Sequence, residues 1–524
     1  MSTLLRVPNF YLIVPVLLAL FHGKIGFSQN LPSPFADASE FEKKTVRFVS
    51  TDANPLTGPN SEYLSADLRQ SIRDVYVWAW PLIYMTNVQK SLQLVQSPGV
   101  SGGAPVAPIN NLCMLTDVVS SEFTSVPCPN RDVIYGFGLM DLASSPVVVQ
   151  VPNFSKDQFW LYQVGDHRTD SFAELGSVYQ TQAGFYLIVG PDWNGDVPQG
   201  IERVFRSPTN LAYILPRVLV TQATKEDATL KSQLAQIAAY PLAKYTGRWK
   251  VHDWTKRKWY PAVGETSQKR SKLVRPATFF EDLPAVLESV PPLAGEEEIY
   301  QAAQRIVAQL EADPRVAQTL RELAEEIEEF EIAPLFDFPN VGSPLPGYWT
   351  SVDNGAAFGI DYRTRTAVAK SNMFVNKADE AKYFYLEHSK DGRLLTGEGN
   401  YQITFAADEL PPNNGFWSLT LYDQDHRLYS NSWQQHSIGS IEGHRLHWNE
   451  DGSLTISIRS KPADLEKENW LPSPSGHFVL YLRVYAPSKS VVDGDWSPPA
   501  AIEIEEQSIT NTSDLASAAS KIGT

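Results

Sequence analysis

The chain is 524 residues long with 43% hydrophobic and 20% charged residues, values near globular averages that exclude disordered, collagen-like and coiled-coil classes. At roughly 100–200 residues per domain, it has room for two or three domains with cores of their own. Acidic residues outnumber basic ones by 60 to 44, a formal charge of −16; this repels phosphate backbones, no basic patch offsets it, and nucleic acid is not an expected partner.

Residues 1–28 read as a signal peptide. Arg6 supplies the positive start, Phe10 to Phe21 the apolar core, and Gly26 to Ser28 the small residues of a cleavage site near Ser28. The apolar run is shorter than the ~20 residues a bilayer span needs and Pro15 interrupts it, so the mature chain is expected to be exported, periplasmic or extracellular, with no membrane span. In such an oxidising compartment Cys113 and Cys128 either pair or stay as two buried thiols, and both readings stay open.

A polar lead (29–63) precedes a helix over Leu64–Val95, where Leu68, Ile72, Val75, Ala79, Leu82 and Ile83 follow helical spacing; Pro81 should kink or end it. Strands are expected at Val133–Met140, Pro146–Val151, Phe159–Val164 and Phe185–Val189. A buried run at Leu211–Val220 and an amphipathic helix around Leu230–Ala239 follow. Residues 64–260 thus read as a mixed α/β domain. The segment 261–345 reads as a helical connection, its apolar positions running from Ile299 to Phe330 and broken at Asp313-Pro314. Its dense glutamates (Glu325, Glu326, Glu328, Glu329, Glu331) are expected to form a solvated face.

From 346 to 503 alternating runs at Tyr401–Phe405, Phe416–Tyr422, Leu454–Ile458 and Phe478–Tyr485, separated by Pro-, Asn-, Asp- and Gly-rich turns, predict a largely antiparallel β-sandwich of jelly-roll type. Phe374–Phe384 is ambiguous, and the tail 504–524 reads as disordered. The fold class is therefore α+β.

Several of these runs carry a resemblance. Val75–Tyr84 (VYVWAWPLIY), Asn130–Tyr135 (NRDVIY), Gly165–Phe172 (GDHRTDSF) and Gly190–Trp193 (GPDW) resemble the domain of unknown function 1254. Gly415–Asp423 (GFWSLTLYD), Asp451–Ile456, Asn469–Pro472 and Asp493–Pro498 resemble its usual companion, the domain of unknown function 1214. The resemblance spans about residues 64–500 and implies a two-domain, often exported protein with a β-sandwich-like second half and no settled reaction. Val133 stands where a threonine is usual, and the Asp-Arg pair usual after the Ser-Ile-Gly stretch is missing beyond Gly439.

Two motifs carry candidate chemistry. Arg131, a planar fork between Asn130 and Asp132, suits a carboxylate or sulfate, whereas the flanking pair also serves as a turn former. Asp166, His167 and Arg168, with Asp170, lie at the end of a strand, where a sheet delivers side chains to a cleft; an imidazole beside a carboxylate is a general acid/base or a charge-pairing binder. Trp470, in a Pro-bracketed loop, is the Trp best placed for exposure and sugar stacking. No Gly-x-Ser-x-Gly, Gly-x-Gly-x-x-Gly, P-loop or His-Glu-x-x-His motif is present, and neither a metal nor a cofactor is expected.

Whether the chain is an enzyme stays open. The leading reading is a binding protein that holds a polar, saccharide-like or anionic small ligand in a groove between domains, through Asn130, Arg131, Asp132, Asp166, Arg168 and Trp470. The second is a hydrolase or lyase with His167 as general acid/base, aided by Asp170 or Asp166 and Arg131, with Tyr135 as proton donor. The third is a structural or assembly role with the chain as a homo-oligomer.

Overall fold

The computed structural model describes residues 65–221, 223–261, 266–267, 270–442, 445–462 and 468–505; the expected signal peptide, polar lead and tail from 506 onward lie outside them. All described residues belong to one compact unit. Among them no helix is long and apolar enough to cross a membrane.

The first helix, Ala66–Leu92, is capped by Ser65, whose hydroxyl accepts the Leu68 N–H at 3.2 Å. It runs unbroken through Pro81, where the sequence predicts a kink or an end. Pro81 has no N–H to offer the Val77 carbonyl; the Thr366 hydroxyl, from the helix Tyr362–Ser371, donates to that carbonyl at 2.7 Å instead. Nearly every side chain from Ile72 to Thr86 is buried, since three further helices, Phe279–Ser289, Glu297–Ala312 and Pro314–Ile327, stand beside it. Phe279 stacks on Tyr76 at 3.8 Å and Tyr300 meets Trp78 edge-on. The segment expected as a connection is therefore part of the core. The break at Asp313-Pro314 is a cap, Asp313 accepting the Arg315 N–H at 2.9 Å. Glu325 and Glu329 are exposed as expected, but Glu328 is buried, bonded to Tyr76, Trp80 and Lys370.

Two larger sheets form the bulk of the N-terminal half, beside a three-stranded and a two-stranded one. One orders Cys113–Met114, Val133–Asp141, Leu211–Leu219, Trp160–Asp166 and Ser171–Ala173, all antiparallel. The other orders Ala238–Pro241, Val147–Val151, Gly184–Val189 and Ile201–Arg206. The helix expected to reach Ala239 stops at Gln236 because Ala238–Pro241 is recruited as an edge strand against Val147–Gln150.

The C-terminal half is a two-sheet sandwich. A six-stranded antiparallel sheet (Ser343–Pro344, Trp349–Ser351, Ala381–Leu386, Phe478–Pro487, Asn413–Asp423, Ser437–Gly439) faces a four-stranded one (Asn469–Pro472, Leu454–Arg459, Tyr401–Phe405, Ile502–Glu503). Strand period two divides the larger sheet cleanly. Phe478, Leu480, Leu482 and Val484 join Ile403, Phe405 and Ile456 in the sandwich core. The alternate residues, Val479, Tyr481 and Tyr485, belong to the core shared with the N-terminal half, so this sheet is buried on both faces and welds the two halves together. Of the ambiguous stretch Phe374–Phe384, the residues up to Glu380 form loop and turn, and the remainder opens the strand Ala381–Leu386.

Candidate functional site

The Asp166–Asp170 motif is a tight turn that ties three parts of the chain together. Asp166 accepts the N–H groups of Arg168 (2.8 Å) and Asp170 (3.1 Å), with Thr169 in the left-handed region between them. Arg168 is fully buried and bonds Glu296 at 2.9 Å and the Pro291 carbonyl. Asp170 accepts the Phe358 N–H at 2.8 Å and pairs with the buried Arg365 at 3.1 Å. The His167 ring contacts the Leu82 carbonyl (2.9 Å) and the Thr86 hydroxyl (3.1 Å) of the first helix. Burial, aided by Arg168, pushes its pKa down to about 4, so it is neutral near pH 7; burial and Asp170 push Asp166 up to about 7. Asp166, His167 and Arg168 face the interior of the molecule rather than a cleft, and the partly exposed Asp170 is tied to Arg365.

They are also remote from the other motif. The Val220 N–H donates to the Asp132 carbonyl, while Asp166 pairs with Ala212 on the same chain segment. Eight positions at about 3.3 Å each place the two motifs roughly 25 Å apart along the sheet. The expectation that His167 works with Arg131 and Tyr135 is therefore corrected: they lie toward opposite ends of the intervening strand Leu211–Leu219, beyond the reach that proton transfer needs.

Asn130 to Tyr135 instead docks on the tyrosine-rich face of the six-stranded sheet. The Asn130 amide donates to the Tyr485 hydroxyl at 2.6 Å and its carbonyl oxygen accepts the Asp132 N–H at 2.7 Å; the Tyr135 hydroxyl accepts the Asn130 N–H at 3.2 Å. Asp132, 2% exposed, accepts the Ser418 hydroxyl at 2.5 Å. Burial raises its pKa against the pull of Ser418, Arg483, Asn130 and Arg131.

Arg131 is the member of the motif that turns outward. Its guanidinium donates to the Gln434 carbonyl at 3.2 Å, across the junction of the two halves. It lines a polar cavity of about 490 Å³, with Thr221 and Lys225 from the N-terminal half and Trp433, His436 and Arg445 from the C-terminal half. Lys225 is paired with Asp117 at 2.9 Å. Burial presses against the Arg131 charge, with Asp117 and Asp132 supporting it. Burial and Arg131 push His436 down to about 4, leaving a neutral ring whose Nδ1 meets no partner among the described residues.

Trp470, expected to be exposed, is buried at 6% and donates its indole N–H to the Arg459 carbonyl at 2.8 Å, because its stretch is a strand paired with Leu454–Arg459 rather than a loop. The exposed indole is Trp433, 53% exposed, whose edge meets Trp470 at 5.4 Å. Sequence reasoning ranked Trp433 below Trp470 and missed His436 and Arg445; no local motif marks them, since only the packing of one half on the other brings them to Arg131. Both cysteines are free and buried, which settles the alternatives at Cys113 and Cys128 in favour of thiols. Among the described residues no cluster of three or more His, Cys, Asp or Glu is arranged to hold a metal ion.

Residues 109–241 match the family model described as protein of unknown function (DUF1254), and residues 380–489 match that described as protein of unknown function (DUF1214). The cavity lies where the two matched segments meet. The crystal structure of the VPA0106 protein from Vibrio parahaemolyticus is similar over 84% of this chain and 100% of its own, with a TM-score of 0.55 at 19% identity, so the two share a fold. An uncharacterised protein from Burkholderia cenocepacia aligns over 84% of this chain and 95% of its own, with a TM-score of 0.39 at 12% identity. No curated protein matches the chain.

Proposed function

We propose that this chain, a DUF1254 domain joined to a DUF1214 domain, is an exported protein that binds a small, anionic, hydroxyl-rich ligand of the saccharide-acid class in the cavity at their junction. The observation that carries this is Arg131, held between the halves at the wall of a cavity large enough for a monosaccharide. Its planar fork suits a carboxylate. Trp433 offers an apolar face on which a sugar ring can stack. Thr221, Ser437 and the neutral His436 ring supply hydroxyl and imidazole groups for ligand hydroxyls. Arg131, Lys225 and Arg445 outnumber the Asp117 and Asp132 carboxylates that also line the cavity, in a chain that is otherwise strongly acidic, which favours the anion at this place over the rest of the surface.

The test is titration of the purified chain with uronic acids and with the matching neutral sugars, followed by Trp fluorescence and melting temperature. A uronic acid should quench fluorescence and raise the melting temperature while its neutral counterpart does so weakly. Arg131→Met should weaken binding by about ten- to a hundredfold, the worth of a hydrogen-bonded charge pair of roughly 1.5–3 kcal/mol. Equal response to charged and neutral sugars, or wild-type affinity in Arg131→Met, would refute the reading.

A further inference from the structure

A second cavity, of about 130 Å³, is lined by Pro129 and Tyr135 beside the Asn130–Tyr135 motif and is walled largely by apolar side chains, among them Tyr84, Phe123, Met373 and Phe374. Cys128 stands in that wall. Its backbone is in the left-handed region at φ 53°, a conformation that costs about 1–3 kcal/mol for a side-chain-bearing residue and persists only where the surroundings enforce it. Two bonds enforce it here: the Cys128 N–H donates to the His426 carbonyl at 2.7 Å, and the Cys128 carbonyl accepts from Arg483 at 2.8 Å. The Cys128 sulfur lies close enough to the His426 ring to raise its pKa. Sγ and His426 Nδ1 also converge on one acceptor, the Ser371 carbonyl, at 3.8 and 3.2 Å.

His426 is itself held on every side. Its ring lies against Phe336 and Phe338, with centroids 4.0 and 4.3 Å away, and its Nε2 is 3.8 Å from the buried Glu387 carboxylate, which also accepts the Phe338 N–H at 2.7 Å. Burial alone would lower the pKa of this ring, yet Cys128 and Glu387 outweigh it and push it up to about 10. Cys113 is the internal contrast: its thiol donates to the Gly99 carbonyl at 3.3 Å, and burial pushes it up to about 11.

We infer that Cys128, His426 and Glu387 form a nucleophilic centre that takes short apolar acyl groups from activated esters or thioesters at the wall of this cavity. A thiol beside an imidazolium that is oriented by a carboxylate is an activated nucleophile, and the space, about that of four water molecules, fits a short acyl chain. The Cys128 thiolate adds to the acyl carbon. The bond to the leaving oxygen or sulfur breaks, its electron pair departs on that atom, and the leaving group takes a proton from the His426 imidazolium. Water then adds to the thioester carbon, gives one proton to His426, and releases a carboxylic acid as the electron pair returns to sulfur, so that His426 again carries its proton. Glu387 acts as a positioning residue through His426.

Intact-mass measurement after incubating the purified chain with p-nitrophenyl butyrate should show one butyryl group, mapped to Cys128 and absent in Cys128→Ser, while Cys113→Ser behaves as wild type. Iodoacetamide should alkylate Cys128 in the folded chain at pH 6, well below the ordinary thiol pKa of about 8.5, and leave Cys113 untouched. Glu387→Gln should move that pH profile upward and slow acylation at least about tenfold. If Cys128→Ser fails to fold, the alkylation profile of the wild type still decides the matter. Reaction of Cys128 only with the pH profile of an ordinary thiol, or alkylation at pH 6 with no acyl adduct, would overturn the assignment.

Discussion

Glu328 and Lys370 form a buried ion pair at the centre of the helical layer, and its disruption can be worked out group by group. Their side chains are 2% and 3% exposed and 3.0 Å apart. Glu328 Oε2 also accepts the Tyr76 hydroxyl and the Trp80 indole N–H, each at 3.0 Å, and the Lys370 ammonium lies 5.2 Å from the Trp80 ring. Glu328→Gln keeps the shape, and the remaining carbonyl can still accept both aromatic donors, preserving about 1 kcal/mol each. The new amide N–H₂ then faces the ammonium, donor against donor, and the buried positive charge has lost the Glu328 carboxylate. Breaking a buried pair from one side costs about 3–5 kcal/mol, whereas removing both charges is often close to neutral. Glu328→Gln is therefore expected to cost about 4 kcal/mol, and Glu328→Gln with Lys370→Met to return to within about 2 kcal/mol of wild type. Urea unfolding followed by Trp fluorescence measures both. A single-variant cost under about 1 kcal/mol, or a double variant less stable than either single one, would refute the reasoning.

Thr366→Val should cost about 1–3 kcal/mol by orphaning the Val77 carbonyl, and Pro81→Ala in the same chain should recover most of it by restoring a backbone N–H; thermal melts of the two variants decide. For His426, whose folded pKa of about 10 exceeds the unfolded value near 6.5, the stabilising contribution is fully present below pH 6.5 and is lost as pH rises toward 10. Melting temperature should thus fall along that limb, and less steeply in His426→Gln. His167 has the opposite sign: with its folded pKa near 4, the unfolded chain takes up the proton first, so stability falls as pH drops from about 6.5 to 4, and a melting profile of His167→Gln should be flatter over that window.

The sequence by itself determined what local pattern and composition can encode. Helical spacing from Leu68 to Ile83 placed the first helix, period-two alternation placed Tyr401–Phe405, Leu454–Ile458 and Phe478–Tyr485 on strands, and Asp313-Pro314 marked a helix boundary. It also singled out Arg131, because a guanidinium between two acceptors is unusual chemistry at a turn. Tertiary structure decided the rest wherever a residue's role depends on a partner distant in sequence. Pro81 does not end its helix because Thr366 replaces the missing donor. His167 and Arg131 looked like companions, yet strand register sends them to opposite ends of the sheet. The Pro-bracketed setting of Trp470 pointed to exposure, but pairing with Leu454–Arg459 buries it, while Trp433 is left exposed. Cys128, His426 and Glu387 meet only because one face of the six-stranded sheet packs on the N-terminal half. Periodicity reports which side of an element is apolar, whereas a site needs the identity of what that side touches, and that is settled when the layers pack.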